Sequence, residues 1–345
     1  MTAVDLLVPE LAPHDATGTH TLLLRDLLVE AGATVRFVTQ VPAEVDEPYL
    51  LADDWRDPAS TVILQHGIGS FVADAVIKQR VPVVVNYHNI TPLEFVEPWT
   101  PELISGLRWG RSQLDQLAPI AVRGIGVSAY NAAEMRAVGF TDVRIAPVLW
   151  DLAPRAGERA DRDEAPIVLF VGRVAANKRH EDLLAAFALV REQHRDARLV
   201  LVGSPASTDY QRSLDAYANR LGIEDVVEFT GSVSDAELAG WYRNADVFLC
   251  VSEHEGFCVP IVEAMAAGVP VVAHAAAAVP ETVANAGIVL ADKRPATIAA
   301  AVSRVLDDPV LAETMTAAGL RRAADFSLDI GRQRMREALA GLVDA

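Results

Sequence analysis

Ser252-Glu253-His254-Glu255-Gly256-Phe257-Cys258-Val259-Pro260-Ile261-Val262-Glu263-Ala264-Met265-Ala266-Ala267-Gly268-Val269-Pro270-Val271-Val272 sets two glutamates around a glycine turn and the start of a helix. The apolar run Ala245 to Val251 before it predicts a buried strand. Gly256 lets the backbone turn, and Pro260 suits the first turn of a helix that ends at Gly268. Glu255 is then on the loop and Glu263 on the helix. Free backbone N–H groups at such a helix start, from Gly256 through Phe257 and Cys258 to Val259, attract phosphate, while two carboxylates repel it. The glutamates are therefore suited to something neutral beside a phosphate, and sugar or ribose hydroxyls fit.

A matching unit lies upstream. Ile167-Val168-Leu169-Phe170-Val171 reads as a short β-branched strand, Gly172-Arg173-Val174-Ala175-Ala176-Asn177-Lys178 as a loop, and Leu183, Leu184, Phe187, Leu189 and Val190 as a helical pattern. Arg173 can fork onto phosphate oxygens and Lys178 can add a mobile point charge, which suits negative charge building on a departing phosphate. Leu199 to Ser204 and Val226 to Val233 read as parallel strands opening into small-residue loops. Ligands bind at those ends in open α/β sheets, which places Gly203, Ser204 and Val233 at a nucleotide pocket.

The two motifs together resemble the E-x-x-x-x-x-x-x-E and G-R-x-x-x-x-K signatures of retaining nucleotide-sugar glycosyltransferases of family 4. The likeness covers nearly the whole chain and is strongest from Ile167 to Val272. It implies the GT-B fold and a nucleoside-diphosphate sugar donor. Glu255 would contact the donor sugar, Glu263 the nucleotide ribose, Arg173 and Lys178 the diphosphate, with Gly172 in the same loop. The backbone at Val233 would contact the base. The leaving phosphate itself would take the acceptor proton, with no enzyme nucleophile. No Asp-x-Asp pair stands near a strand end, and two cations already serve the diphosphate, so neither a metal nor a cofactor is expected.

The N-terminal half repeats the α/β alternation. Val4 to Val8, Val35 to Val38, Val62 to Leu64, Val81 to Tyr87 and Gly124 to Val127 read as strands. Leu22 to Val29, Phe71 to Lys78, Arg108 to Leu117 and Asn131 to Val138 read as helices. The Pro- and charge-rich stretch Asp151 to Pro166 reads as a linker. The expected architecture is α/β, with two facing Rossmann-like domains, 1–150 on the acceptor side and 151–327 binding the nucleotide-sugar, around an interdomain cleft. The resemblance makes 328–345 a helix that returns to the N-terminal domain.

Three loops of this half carry candidates. Asp15 to His20 opens the first helix, and Gly18 permits close approach of a sugar or phosphate, although Thr17 or Thr19 as a helix cap would also explain the stretch. The family's loop commonly has a glycine pair, and here there is one. Gln65-His66-Gly67 and Tyr87-His88-Asn89 lie at strand ends. His88 resembles the family's strand-end histidine. Neutral, it could hydrogen-bond a sugar hydroxyl; charged, it could ease developing phosphate charge. His66 is the weaker candidate of the two.

Composition narrows the class. The 345 residues exceed one typical core, and 51% hydrophobic with 22% charged residues is ordinary for globular proteins. The formal charge is −17, with 10 basic against 18 acidic residues in 1–150 and 20 against 29 in the rest, so neither half offers nucleic acid a basic face. An anionic membrane would also repel the protein, save for weak peripheral contact by a patch at Phe95, Val96 and Trp99. No apolar run spans a bilayer and no signal core follows the N-terminus, so a cytoplasmic location is expected. Cys250 and Cys258, the sole cysteines, are expected to be reduced and, lacking companions at ligand spacing, not to bind metal.

The expected reaction is retaining sugar transfer to an acceptor hydroxyl in surface polysaccharide or related glycoside assembly. A nucleotide-sugar 2-epimerase would share fold and donor. A non-enzymatic two-lobed sugar-binding protein would carry an export signal and lack the paired cations and glutamates.

Overall fold

The computed structural model describes residues 2–12, 15–43, 45–153 and 165–343. The chain divides into two compact units, one of Met1–Leu93, Glu102–Trp150 and Ser327–Ala345, the other of Glu94–Pro101 and Asp151–Phe326. Most of the expected linker, 154–164, lies outside the described residues.

The first unit is built on strands β1 (Ala3–Leu7), β2 (Thr34–Thr39), β3 (Tyr49–Leu51), β4 (Thr61–His66), β5 (Val83–Tyr87), β6 (Ala121–Gly126) and β7 (Val143–Ile145), with helices α1 (Ala16–Glu30), α2 (Phe71–Gln79), α3 (Glu102–Leu117) and α4 (Ala129–Ala137). All pairings are parallel, in the order β3-β2-β1-β4-β5-β6-β7. Short β3 and β7, at the edges, had no pattern in the sequence strong enough to predict them. Helix α1 begins earlier than its apolar pattern because Asp15, not a threonine, caps it by accepting the Gly18 N–H at 2.6 Å. Gly18 is buried against the Ala12 carbonyl, whose oxygen would lie 1.7 Å from any Cβ built there, so this glycine has a packing reason of its own. The C-terminal residues pack into this unit's core, where Met335, Ala338 and Leu339 join Leu24, Leu28, Ile125 and Leu149.

The second unit repeats the plan with β8 (Ile167–Val171), β9 (Arg198–Val202), β10 (Val227–Gly231), β11 (Val247–Cys250), β12 (Val271–His274) and β13 (Ile288–Leu290). Its helices are α5 (His180–Gln193), α6 (Thr208–Leu221), α7 (Asp235–Asn244), α8 (Val259–Ala266), α9 (Val279–Val283), α10 (Pro295–Asp307) and α11 (Pro309–Ala324); α12 (Leu328–Leu339) returns to the first unit. The strand order is β10-β9-β8-β11-β12-β13, again parallel. Strands β8 and β11 are almost wholly buried, as continuous Val, Leu and Phe runs require when helices cover both faces.

In each unit the order reverses between two neighbouring strands, β1 and β4 in the first, β8 and β11 in the second. Loops leaving such a pair run to opposite faces and open a crevice at the carboxyl ends of the strands. Both sequence motifs of the second unit leave the β8–β11 pair.

Candidate active site

The loop after β8 and the loop after β11 are joined by main-chain and side-chain bonds. Glu253 N–H donates to the Asn177 carbonyl at 2.8 Å, and the Asn177 amide reaches the His254 carbonyl at 3.4 Å. At the centre Lys178 Nζ meets Glu255 Oε1 at 2.6 Å. Burial opposes the Lys178 charge most strongly, but Glu255 and the Cys258 and Cys250 sulfurs outweigh it, so its pKa is raised. Arg173, on the same loop, is exposed and pairs with no described residue. Lys178 is thus held by the site, while Arg173 is available to an anion.

Glu263 is buried on α8. Tyr242 of α7 donates its hydroxyl to Glu263 Oε2 at 2.9 Å, a partner the sequence reading missed because it comes from a helix before β11. Helix α8 opens at Cys258, which has the left-handed φ of 68° and makes no side-chain cap bond, and Pro260 lies in the first turn. Pro260 has no N–H and Ile261 donates to the Cys258 carbonyl at 3.1 Å, so the N–H that the start of α8 offers another acceptor is that of Val259. A non-glycine residue in this conformation costs on the order of 1 kcal/mol or more and persists where its surroundings fix it. Those surroundings are visible. Thr282 donates to the Phe257 carbonyl at 2.7 Å, the Ala278 N–H to the Glu255 carbonyl at 3.1 Å, and Phe257 packs edge-on to Phe326 at 5.2 Å.

Gly172 and Gly203 bring the loops after β8 and β9 into backbone contact. Both have positive φ, 150° and 145°, and a Cβ on Gly203 would stand 2.1 Å from the Gly172 oxygen. Ser204 shares a 2.5 Å hydroxyl bond with Ser232, next to Val233. Gly172, Arg173, Lys178, Gly203, Ser204, Val233, Glu255, Gly256, Phe257, Cys258, Val259 and Glu263 thus lie on loops and helix starts at the carboxyl edge of one sheet.

Cys250 and Cys258 are free and buried. The expectation that the cysteines have no ligand companions needs correction, because folding brings both sulfurs and a Glu255 oxygen within 4.8 Å of one another. Glu255 stands between the two cysteines in the chain, and the turn from β11 into α8 folds the three side chains together. A cation there would have to displace Lys178 from Glu255. Cys258 keeps its proton, its pKa raised by donating to Cys250 and by burial.

The patch Phe95, Val96 and Trp99 is in part packed against its own unit. It groups with the second unit: Phe95 lies 6.2 Å from the His254 ring, Trp99 5.1 Å from Tyr210, and Val96 is buried. Phe95 and Trp99 remain half-exposed. No helix among the described residues is long and apolar enough to cross a membrane.

In the first unit His88 follows β5, and its Nε2 lies 2.6 Å from Gln65 Oε1. Burial, and next His66, lower its pKa to about 4, which selects the neutral imidazole of the two readings. His66 is fully buried, its Nε2 3.0 Å from the Gly110 carbonyl, its pKa also lowered to about 4 by burial above all. It is a packed structural ring.

Two parallel sheets of this order define the GT-B architecture, and solved structures agree over the full chain. Sucrose-phosphate synthase from Thermosynechococcus elongatus superposes with a TM-score of 0.80 at 21% identity, covering 98% of each chain. Anabaena HepE in complex with UDP and glucose gives 0.77 at 18% identity, covering 99% of this chain and 100% of that one. Residues 156–322 match the family described as glycosyl transferases group 1. The D-inositol 3-phosphate glycosyltransferase of Kineococcus radiotolerans is 31% identical over 287 residues, covering 75% of this chain and 65% of the relative. That of Streptomyces avermitilis is 34% identical over 174 residues, covering 48% of this chain and only 38% of the relative. The second unit is thus similar to the group 1 glycosyl transferases, and the whole chain shares the fold of the GT-B structures.

Proposed function

We propose that the protein transfers a sugar from a nucleoside-diphosphate sugar to an acceptor hydroxyl with retention of configuration. The observation that carries the reading is the buried Lys178–Glu255 pair at the reversal of strand order, beside an uncapped helix start and a buried Glu263. Arg173, Lys178 and the N–H groups at Gly256 to Val259 hold the diphosphate. When phosphate engages Lys178, Glu255 is released to a sugar hydroxyl, and Glu263, oriented by Tyr242, takes the ribose. Gly172, Gly203, Ser204 and Val233 line the base side. Gly18 and neutral His88 serve the transferred sugar. The leaving phosphate removes the acceptor proton, and neither metal nor cofactor takes part.

The donor follows from chemistry that a UDP-sugar satisfies, and HepE, similar in fold, is described with UDP and UDP-glucose. Surface polysaccharide or related glycoside assembly in the cytoplasm is the setting we favour, without nucleic acid. The curated relatives act, by name, on D-inositol 3-phosphate. A phosphorylated cyclitol is therefore an acceptor to assay alongside glycosides. A thermal-shift screen with UDP, GDP, ADP and TDP identifies the base, since ligand at a hundredfold excess over Kd stabilises by about 2.7 kcal/mol. Incubation of the matching donor with and without acceptor then decides. A glycoside of retained anomeric configuration supports the proposal; a new sugar nucleotide formed without acceptor marks an epimerase instead.

A further inference from the structure

Four polar side chains at the carboxyl ends of the first unit's strands form one hydrogen-bonded line. His20 Nδ1 accepts the backbone N–H of Leu149 at 2.8 Å. Its Nε2 lies 2.6 Å from one atom of the Asn86 amide, and that atom lies 2.9 Å from an atom of the Gln65 amide. The same Gln65 atom lies 2.6 Å from His88 Nε2. His20, Asn86 and Gln65 are wholly buried, so water does not compete for these bonds.

Counting donors along the line leaves one arrangement. A main-chain N–H only donates, so His20 Nδ1 is bare. Burial and the neighbouring His88 hold the His20 pKa well below the usual value, so the ring is neutral and its one proton sits on Nε2. Nε2–H needs an acceptor, and only the Asn86 oxygen supplies it. The oxygen and nitrogen of an amide exchange by a half-turn about the terminal bond and are assigned by such bookkeeping. An Asn86 oxygen facing Gln65 requires a donor there, which turns the Gln65 NH2 inward. That NH2 carries two protons, and the second goes to His88 Nε2.

We propose that His20, Asn86 and Gln65 are positioning residues that lock His88 in the tautomer protonated on Nδ1, leaving Nδ1–H as the group offered to the transferred sugar. No described residue pairs with His88 Nδ1, and the side chain is partly exposed, in contrast to the sealed ring of His66. The substrate oxygen it meets must accept a hydrogen bond. The inference rests on the reading of His88 as a sugar contact, and His20, wholly buried, enters the chemistry only through this relay.

Long-range 1H–15N correlation on 15N-histidine-labelled protein reads the tautomer, with His88 assigned by comparison with His88→Gln. His88 protonated on Nδ1 and bare on Nε2 is the expected result; a proton on Nε2 overturns the proposal. That arm uses the unaltered protein, so no folding defect can mask it. In Gln65→Met the donor is gone, and a population protonated on Nε2 should appear, with sugar transfer falling roughly tenfold while nucleoside diphosphate affinity stays within about twofold. An unchanged tautomer in that variant overturns the relay. His88→Gln separates the underlying reading: transfer at the wild-type rate removes His88 from sugar recognition, even with the Nδ1–H tautomer observed.

Discussion

Lys178→Met tests the centre of the site. The Nζ to Oε1 separation of 2.6 Å corresponds to a gross attraction of about 6 kcal/mol at an effective dielectric constant near 20. Desolvation cancels much of this in the intact pair, since Glu255 is 9% and Lys178 21% exposed at the side chain. The variant does not recover that cost, because it leaves a buried carboxylate without its cation. Breaking a buried pair costs about 3 to 5 kcal/mol, and discounting for the partly exposed lysine gives about 2 to 3 kcal/mol. For a domain of this size the melting temperature should fall by roughly 5 to 10 °C. Adding Glu255→Gln removes the stranded charge, so Lys178→Met with Glu255→Gln should be more stable than the sum of the single changes by about 1 to 2 kcal/mol. Thermal and urea unfolding of all four proteins supply the cycle. The sign of its pH dependence also follows. The Lys178 pKa is raised, so its contribution is fully present below the unfolded lysine value and is lost as pH rises through the folded one. The gap between wild type and Lys178→Met should therefore be constant from pH 7 to about 10 and close above it. Additive single changes, within about 0.5 kcal/mol, would refute the coupling and with it the displacement of Glu255 on donor binding.

Three further outcomes follow from the site. Glu263→Gln should weaken free nucleoside diphosphate binding by about 1 to 2 kcal/mol, whereas Glu255→Gln, which frees Lys178 of its partner, should leave it no weaker and lower transfer sharply; calorimetry paired with a transfer assay reads both, and the reverse pattern contradicts the roles. Tyr242→Phe should weaken that same binding several-fold through Glu263, by about 1 kcal/mol, and an unaltered Kd would make the hydroxyl structural only. Stability should fall steeply between pH 6.5 and 4, because the unfolded chain protonates His66 and His180 while burial holds their folded pKa values down to about 4 and about 3; denaturant titrations should show on the order of 3 kcal/mol per histidine lost across that window, and a flat profile would contradict their neutral burial.

Much of this site was legible in the chain because its residues are bound to local grammar. Apolar runs ending in glycine loops before helical patterns announced β8, β11 and the helix carrying Glu263, and their order alone predicted a parallel sheet. Edge strands β3 and β7, of three residues each, were not legible, since pairing to a neighbour and not their own pattern makes them strands. Gly18 reads as a ligand-approach glycine in the sequence, and only the structure shows its packing reason, the Ala12 carbonyl against it. The sequence determined the residue types at the loops: the phosphate cations, the two carboxylates and the strand-end histidine. Tertiary structure decided what each of them is paired with. Lys178 and Glu255, Tyr242 and Glu263, and the line from His20 to His88 join residues from separate strands and helices, and such encounters depend on strand order, which no local pattern encodes. Those pairings fix which charges are held, which proton sits on which nitrogen, and so what the chemistry of the loops can do, because buried hydrogen bonds and ion pairs depend on the distance, angle and donor or acceptor identity of the groups brought together.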